Sequence, residues 1–399
     1  MNISIARRGV LLGTVLTLVS LTAACSANST SSSTSGANGS TSSTRSTGST
    51  NSSSAPGSST SASGGGSAGA GPVPGAELIA ASKSEKGLVI YANAPSQLLK
   101  QFTDSFQQAY PWVKVTAYDL EDPVIFSRYA AEHGTGSPTG DILIASAPSL
   151  WTAAVKKGFV QNYTPAGITN FPGFASQGGG LYIMSPDPAV TIYNKKLLNG
   201  QAPPKTVAEI AAAAAAGKYK VATYPIDNAF GYAAFYGFVQ KYGWKTLDQL
   251  GQTAKTPGSG DVLYTDVAQG GFTTAVFESG LVRGAIKPTD PIVGWEYTTD
   301  YTPLIPRGIA IAAGTSCPNA AKLFMNYLFS NAGQAAACDA GFEAYSNTFT
   351  ATDGCANTLK DLYAAIGGPA NAVLVPISQK VADDQPAFLT RWKQAFKNR

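Results

Sequence analysis

The chain has 399 residues, of which 44% are hydrophobic and only 13% charged, with a net charge of +4. That length suits about two globular domains beside a leader or linker, with enough apolar side chains for buried cores. The small net charge, and the lack of a basic cluster in the folded part, leave no case for nucleic acid as a partner.

The first segment reads as an export signal. Arg7 and Arg8 precede the apolar run Val10–Leu21, which is short for a bilayer span. Leu21-Thr22-Ala23-Ala24-Cys25 follows and resembles a bacterial lipobox, with Thr22 where Leu or Val is usual. The expectation is a lipoprotein signal over residues 1–24, with a diacyl anchor on Cys25 holding the chain at the outer face of the cell membrane. An ordinary secretory signal with an incidental cysteine is the alternative. Removing 1–24, with its two arginines and no acid, would leave a net charge of +2. Residues 25–75 continue almost entirely as Ser, Thr, Gly, Asn and Ala. Such a composition cannot bury a core and reads as a flexible tether of roughly 35–40 Å. Gly65-x-Ser67-x-Gly69 within it matches a nucleophile elbow in letters only, lacking the flanking strand and helix.

The folded part opens with a motif that occurs twice. Leu88–Ala94 (LVIYANA) is a short apolar strand leading through Pro95 and Ser96 into a helix whose Leu98, Phe102 and Phe106 recur every four residues. Asp141–Ala147 (DILIASA) leads through Pro148 and Ser149 into a second such helix. Proline in a first turn sacrifices no helical hydrogen bond. The neighbouring backbone N–H groups would be left open to a ligand. Between the two motifs, Val113–Tyr118 alternates as a strand and Val124–His133 reads as a helix. This order implies a parallel sheet whose strand ends share one crevice.

Gly178–Met184 and Ala189–Tyr193 read as two strands, kept apart by Pro186 and Pro188. Then come an alanine-rich helix at Thr206–Ala216, a strand at Lys220–Pro225, a helix at Gly231–Tyr242, and strands at Asp261–Thr265 and Ala275–Phe277. Arg307–Ala313 is a further strand, followed by helices at Pro318–Ser330, Ala332–Cys338, Thr358–Ala365 and Ala387–Lys397. Export permits a disulfide, and Cys338–Cys355 is the preferred pair, with pairing of Cys317 to either left open. There is no cysteine or histidine spacing for structural zinc, and no cofactor or metal is expected.

RGIAIAAGTSCPNAAKLFMNYLFSNAGQ (307–334), with LVIYANA, SRYAAEHGTGSPTGDILIAS and AVTIYNKKLL, resembles the extracellular solute-binding proteins of ABC importers, in particular their ferric-iron-like group. The resemblance implies an α/β, two-lobed, type II periplasmic-binding-protein-like fold, each lobe a mixed sheet flanked by helices and the two joined by hinge strands. Lobe one takes 76–184 and 288–341, lobe two takes 185–287, and helices within 342–399 pack across the lobes. It further implies a monomeric receptor, not an enzyme, that clamps a small solute and delivers it to an ABC permease. A ligand sensor for a partner protein and a secreted hydrolase are the competing readings. Hydrolysis by a serine triad would depend on His133, the only histidine.

Iron-binding members of that group resemble one another in a histidine-type ligand after the first strand and an adjacent tyrosine pair in lobe two. Here Asn93 and Phe277-Glu278-Ser279 occupy those places, and no Tyr-Tyr pair exists in the chain. An organic cation or zwitterion, or a chelated metal, therefore fits better than bare ferric ion. The expected contacts are Asn93, Ala94, Ser96, Ser146, Ala147 and Ser149 in lobe one. In lobe two they are Asp227, Asn228, Tyr232, Glu278, Ser279, Trp295 and Tyr297. Helix capping competes with ligand contact for the Ser, Asn and Asp positions. Carboxylates with an aromatic wall suit an amine through cation–π contact.

Overall fold

The computed structural model describes residues 75–351 and 355–396. The expectations for residues 1–74, including the signal and Cys25, lie outside the described residues. The chain begins with helix α1 (Ala76–Ser82), then alternates: β1 (Leu88–Ala92), α2 (Ser96–Ala109), β2 (Val115–Asp119), α3 (Asp122–Gly134), β3 (Ile142–Ala145) and α4 (Pro148–Lys156). A short β4 (Ser176–Gly178) turns into the long β5 (Leu181–Asn194). Next come α5 (Val207–Ala215), β6 (Val221–Ala222), α6 (Ala229–Tyr242), α7 (Lys245–Leu250), α8 (Gly260–Ala268), β7 (Thr274–Ser279) and β8 (Val293–Glu296). The return runs through β9 (Thr302–Ile311), α9 (Pro318–Leu328) and α10 (Asn331–Asp339). The chain closes with α11 (Leu359–Ala365), β10 (Ala372–Leu374) and α12 (Gln379–Ala395).

The strands order as β2-β1-β3-β9-β5-β7-β6. β1 is parallel to β2 and β3, whereas β9 runs antiparallel to β3 and to β5. β5 is antiparallel to β7, which is parallel to β6. The sheet is therefore mixed, and β5 and β9 are the strands that tie its halves together. Each half has its own core. In the first, Leu99, Phe102 and Phe106 of α2 are fully buried, with Phe102 and Phe106 edge-on to Phe324 of α9. Tyr91, Tyr129 and Trp151 fill the opposite face of that sheet. In the second, Phe235 and Phe238 of α6 pack with Phe277 of β7, and Phe235 also meets Trp392 of α12. Helix α12 also packs on α4 of the first half.

Four sequence expectations are corrected. Pro186 and Pro188 do not separate two strands; β5 is continuous from Leu181 to Asn194 and buried throughout. The ladder tolerates them because Pro186 stands opposite Pro306, so neither partner has an N–H to place there. The stretch expected as a strand at Asp261–Thr265 is helix α8. Its buried Leu263 and Val267 stand four apart, and that spacing won over a short alternating pattern. The strand expected at Lys220–Pro225 shrinks to Val221–Ala222. The last helix starts at Gln379 and carries Pro386 inside it. The helix expected at Thr206–Ala216 forms behind a full capping box between Thr206 and Glu209.

Cys338 and Cys355 form the disulfide, and Cys317 is free and buried. The bridge closes a loop of sequence separation 17, for which chain entropy gives roughly 3 kcal/mol. Replacing both cysteines by serine should lower the urea midpoint accordingly, and reduction of the parent protein should give the same shift. An unchanged midpoint would mean that the unfolded chain does not feel the constraint.

Candidate functional site

Because β1, β2 and β3 are parallel, their carboxyl ends lie along one edge of the first lobe. Asn93, Asp119 and Ser146 follow or end these strands there. Of the N–H groups at the two motifs, that of Asn93 donates to the Ile144 carbonyl and that of Ser146 to Asp122. Asp119, exposed at the end of β2, stands beside the Ala94 and Ser96 N–H groups and the Ser96 hydroxyl, all of which favour its charged form. Loss of water around its carboxyl raises its pKa, against the pull of those donors and of Arg307. At the second motif the Ser146 N–H donates to Asp122 Oδ1 at 2.9 Å. Burial pushes Asp122 up to about 6, against Ser146 N–H and Arg307. The Ser146 hydroxyl is buried and has no hydrogen-bond partner among the described residues. Ala147 is buried beside it, and Ser149 is half-buried in the first turn of α4.

A buried polar chain runs from this edge across both tie strands. Arg307 on β9 donates from Nε to Asp187 Oδ2 on β5 at 2.7 Å, and from Nη1 to the Asn93 carbonyl. Asp187 also accepts from the Ser185 hydroxyl, which in turn accepts the Glu343 N–H at 2.8 Å. Glu343 Oε2 pairs with Arg283 Nη2 at 2.8 Å, and Arg283 Nη1 donates to the Tyr297 hydroxyl. Arg283 and Glu343 are both buried. Tyr297 is thus committed to Arg283, and burial holds its phenol far above the ordinary range. The ring of Trp295 lies edge-on to Tyr297 at 5.1 Å.

The second lobe contributes the ends of β6 and β7. Glu278 is 2% exposed. Its Oε1 accepts from the Tyr224 hydroxyl at 3.0 Å and from the Ser279 N–H at 2.9 Å. Its Oε2 is buried with no partner among the described residues. Burial pushes the carboxyl up to about 7, aided by Asp261 and opposed by Tyr224 and the Ser279 N–H. The residue before it, Phe277, has φ of 60°, a left-handed conformation costly for an aromatic side chain and typical of functional sites. Gly260, at the start of α8, closes the pocket around the carboxylate. A Cβ there would lie 2.4 Å from the Tyr224 hydroxyl and 2.6 Å from Glu278 Oε1, so any side chain at this position would displace the two bonded groups.

The other expected contacts are placed differently. Asn228 Oδ1 accepts from the N–H groups of Phe230 and Gly231 and caps α6. Tyr232 is buried and its hydroxyl donates to the Val381 carbonyl, so it anchors α12. Asp227 is exposed and lines a cavity of about 320 Å³ with Thr256, Trp392 and Lys393. His133 is exposed and stacks on Tyr129. Among the described residues no group of three or more His, Cys, Asp and Glu side chains is placed to hold a metal ion. No helix among them is long and apolar enough to cross a membrane.

Sequence reasoning missed Asp119, Asp122, Asp187, Tyr224, Arg283, Arg307 and Glu343. Two left a trace: Arg307 is a lone charge opening an apolar strand, and Asp187 sits alone between two prolines in a buried run. Nothing local marks the others.

The chain shares its architecture with solved binding proteins. A substrate-binding protein of an ABC transporter from Agrobacterium tumefaciens is 22% identical, with TM-score 0.70, covering 80% of this chain and 96% of that one. The periplasmic binding protein AfuA of Actinobacillus pleuropneumoniae, solved with fructose-6-phosphate, is 17% identical, with TM-score 0.61 and coverage of 78% and 99%. The apo ferric ion-binding protein A of Pasteurella haemolytica is 14% identical, with TM-score 0.60 and coverage of 78% and 98%. Comparison with curated proteins finds no significant match. The profile of the bacterial extracellular solute-binding proteins matches residues 88–343, from the first strand to the loop that carries Glu343, and the chain belongs to that family.

Proposed function

We propose that this protein is a membrane-tethered receptor that clamps a small cation-bearing solute between its two lobes and presents it to an ABC permease. The observation that carries this reading is a pair of unsatisfied buried polar atoms. Ser146 Oγ and Glu278 Oε2 sit at strand–helix junctions of the two lobes; among the described residues Thr139 Oγ1, Thr191 Oγ1 and Glu343 Oε1 are also buried without a partner, but away from those junctions. Buried oxygens without partners cost free energy unless a ligand supplies the missing groups. Asp119, Asp122 and Glu278 give the junctions an acidic balance, while Arg307 is engaged with Asp187 and the Asn93 carbonyl. An ammonium or amidinium group complements that balance, and a zwitterion or a chelated metal with a cationic face does so too.

In this reading lobe one comprises 76–184 and 288–341, and lobe two comprises 185–287. The solute acts by favouring the closed arrangement over the open one. A diacylated Cys25 and the 25–75 tether would keep the receptor beside its permease. A thermal-shift panel of polyamines, thiamine-like cations, amino-phosphonates, sugar phosphates and ferric complexes tests the class. The expected result is concentration-dependent stabilisation by a cation-bearing member, about 2.7 kcal/mol at a hundredfold excess over Kd. No stabilisation by any cation, or a hydrolytic turnover in its place, would overturn the reading.

A further inference from the structure

Glu278, one residue from the end of β7, has two unlike oxygens. Oε1 is closed off. It accepts from the Tyr224 hydroxyl at 3.0 Å and from the Ser279 N–H at 2.9 Å, and a Cβ on Gly260 would fall 2.6 Å from it. Oε2 belongs to a residue that is 2% exposed, and it has no partner among the described residues. The aromatic rings expected to form a wall for a cation already hold one. The Arg283 guanidinium lies 5.9 Å from the Trp295 ring centre and 5.8 Å from that of Tyr297, and its Nη1 donates to the Tyr297 hydroxyl. Tyr224 meets Glu278 through its hydroxyl, and its ring packs tilted on Phe230 at 5.3 Å. What Glu278 offers a solute is therefore one hydrogen-bond acceptor.

We infer that Glu278 makes the protein selective for cations that carry N–H donors, a protonated amine or a guanidinium, over quaternary ammonium groups. The inference rests on reading Glu278 as a solute contact, and it deepens the proposed cation preference by naming the kind of cation. A buried carboxylate oxygen regains the bonds it lost from water only from a donor. An ammonium or guanidinium N–H supplies one, as a charge-assisted hydrogen bond of about 2.7–2.9 Å. A trimethylammonium group carries the same charge but no N–H. Its methyl shell holds that charge farther off and leaves Oε2 unbonded. Such groups are recognised by aromatic faces instead, and here Trp295 and Tyr297 are engaged by Arg283. Ser146 Oγ, also buried and unpartnered, is an acceptor of the same kind on the first lobe.

The test is isothermal titration of the full chain at pH 8, above the value of about 7 at which Glu278 titrates. The probes are putrescine, spermidine and agmatine, with the permethylated counterparts of the two polyamines. A polyamine should bind at least about 30-fold more tightly than its permethylated partner, the worth of one charge-assisted hydrogen bond. In Glu278→Gln the amide oxygen takes the Tyr224 and Ser279 donors, so the amide NH2 turns a donor toward the solute. Loss of the charge weakens both members of a pair, whereas loss of the acceptor weakens only the N–H member. The ratio between them should therefore fall to within about threefold. Should that variant lose its cooperative unfolding transition, Glu278→Met, of similar length and uncharged, carries the comparison. Equal binding of the paired probes by the parent overturns the inference and leaves the cation reading intact, as does a preference that survives in a folded Glu278 variant. Absence of binding by every cation sinks the cation reading, and the inference with it.

Discussion

Glu278→Gln should raise the stability of the solute-free protein above neutral pH while weakening capture of a cationic solute by roughly 30- to 150-fold. The two effects have one cause. Glu278 is buried with only one of its oxygens bonded, and its carboxyl titrates at about 7. An acid whose pKa is raised on folding holds its proton in the folded state over a range where the unfolded chain has released it. Its contribution to stability is therefore highest at low pH, falls as pH rises from the ordinary glutamate range to about 7, and stays low beyond. The full swing is on the order of 3 kcal/mol. Glutamine removes it, so the Tm difference between variant and parent should grow from pH 5 to pH 8. A pH-independent difference would show that Glu278 is not the titrating group.

The loss of capture follows from the same atom. A charged hydrogen bond to a solute contributes about 2–3 kcal/mol, hence the fold-change stated. In the proposed reading ionised Glu278 is the binding form, so parent affinity should fall as pH drops through 7, and that slope should vanish in the glutamine variant. Asp122, raised to about 6, should add a second decline at lower pH that persists in both proteins. The charged or titratable groups facing Glu278 are Tyr224 and Asp261, and Arg307 faces Asp122 from β9 with Glu121 beside it.

Asp187→Ala should cost about 3–5 kcal/mol, the largest loss expected from a single substitution outside the aromatic cores. It leaves the Arg307 guanidinium, whose side chain is 3% exposed, with the Asn93 carbonyl as its remaining hydrogen-bond acceptor and no directly paired carboxylate. It also removes the acceptor of the Ser185 hydroxyl. The penalty belongs to the unpaired charge rather than to the pair. Asp187→Leu combined with Arg307→Met should consequently recover most of the stability. Urea unfolding of the single and double variants decides the matter. A single-variant cost below about 1 kcal/mol would mean that water reaches the guanidinium.

The parts of this fold that were legible in the sequence are those with local causes. An apolar run, a first-turn proline and side chains spaced by four define the β1–α2 and β3–α4 units without reference to the rest of the chain. Thr206 and Glu209 announce α5 in the same way. The continuity of β5 was not legible, because the tolerance for its prolines lies in Pro306, a residue 120 positions away from Pro186. Site residues divide likewise. Glu278 and Ser146 could be singled out from position after a strand. Their pairing state could not, since Tyr224 lies 54 positions from Glu278 and Asp122 lies 24 positions from Ser146. Asn228 and Tyr232 show the converse: they stand near a junction, yet the backbone of α6 and α12 supply their hydrogen-bond partners.

The prolines of the tie strands have a mechanical consequence. Elsewhere along β5 and β9 every residue can offer an N–H to the ladder, but Pro186, Pro188, Pro303 and Pro306 cannot. Three of them fall within the few rungs where β5 passes from one half of the sheet to the other, next to a register shift between Ile183 and Ser185. The waist is therefore the stretch with the fewest transverse bonds to strain when the sheet flexes. Compliance there comes from donors that are missing rather than from a flexible residue, and each fixed proline φ still confines the direction of bending. Bending at these rungs would change the angle between the two halves of the sheet while the paired residues keep their register.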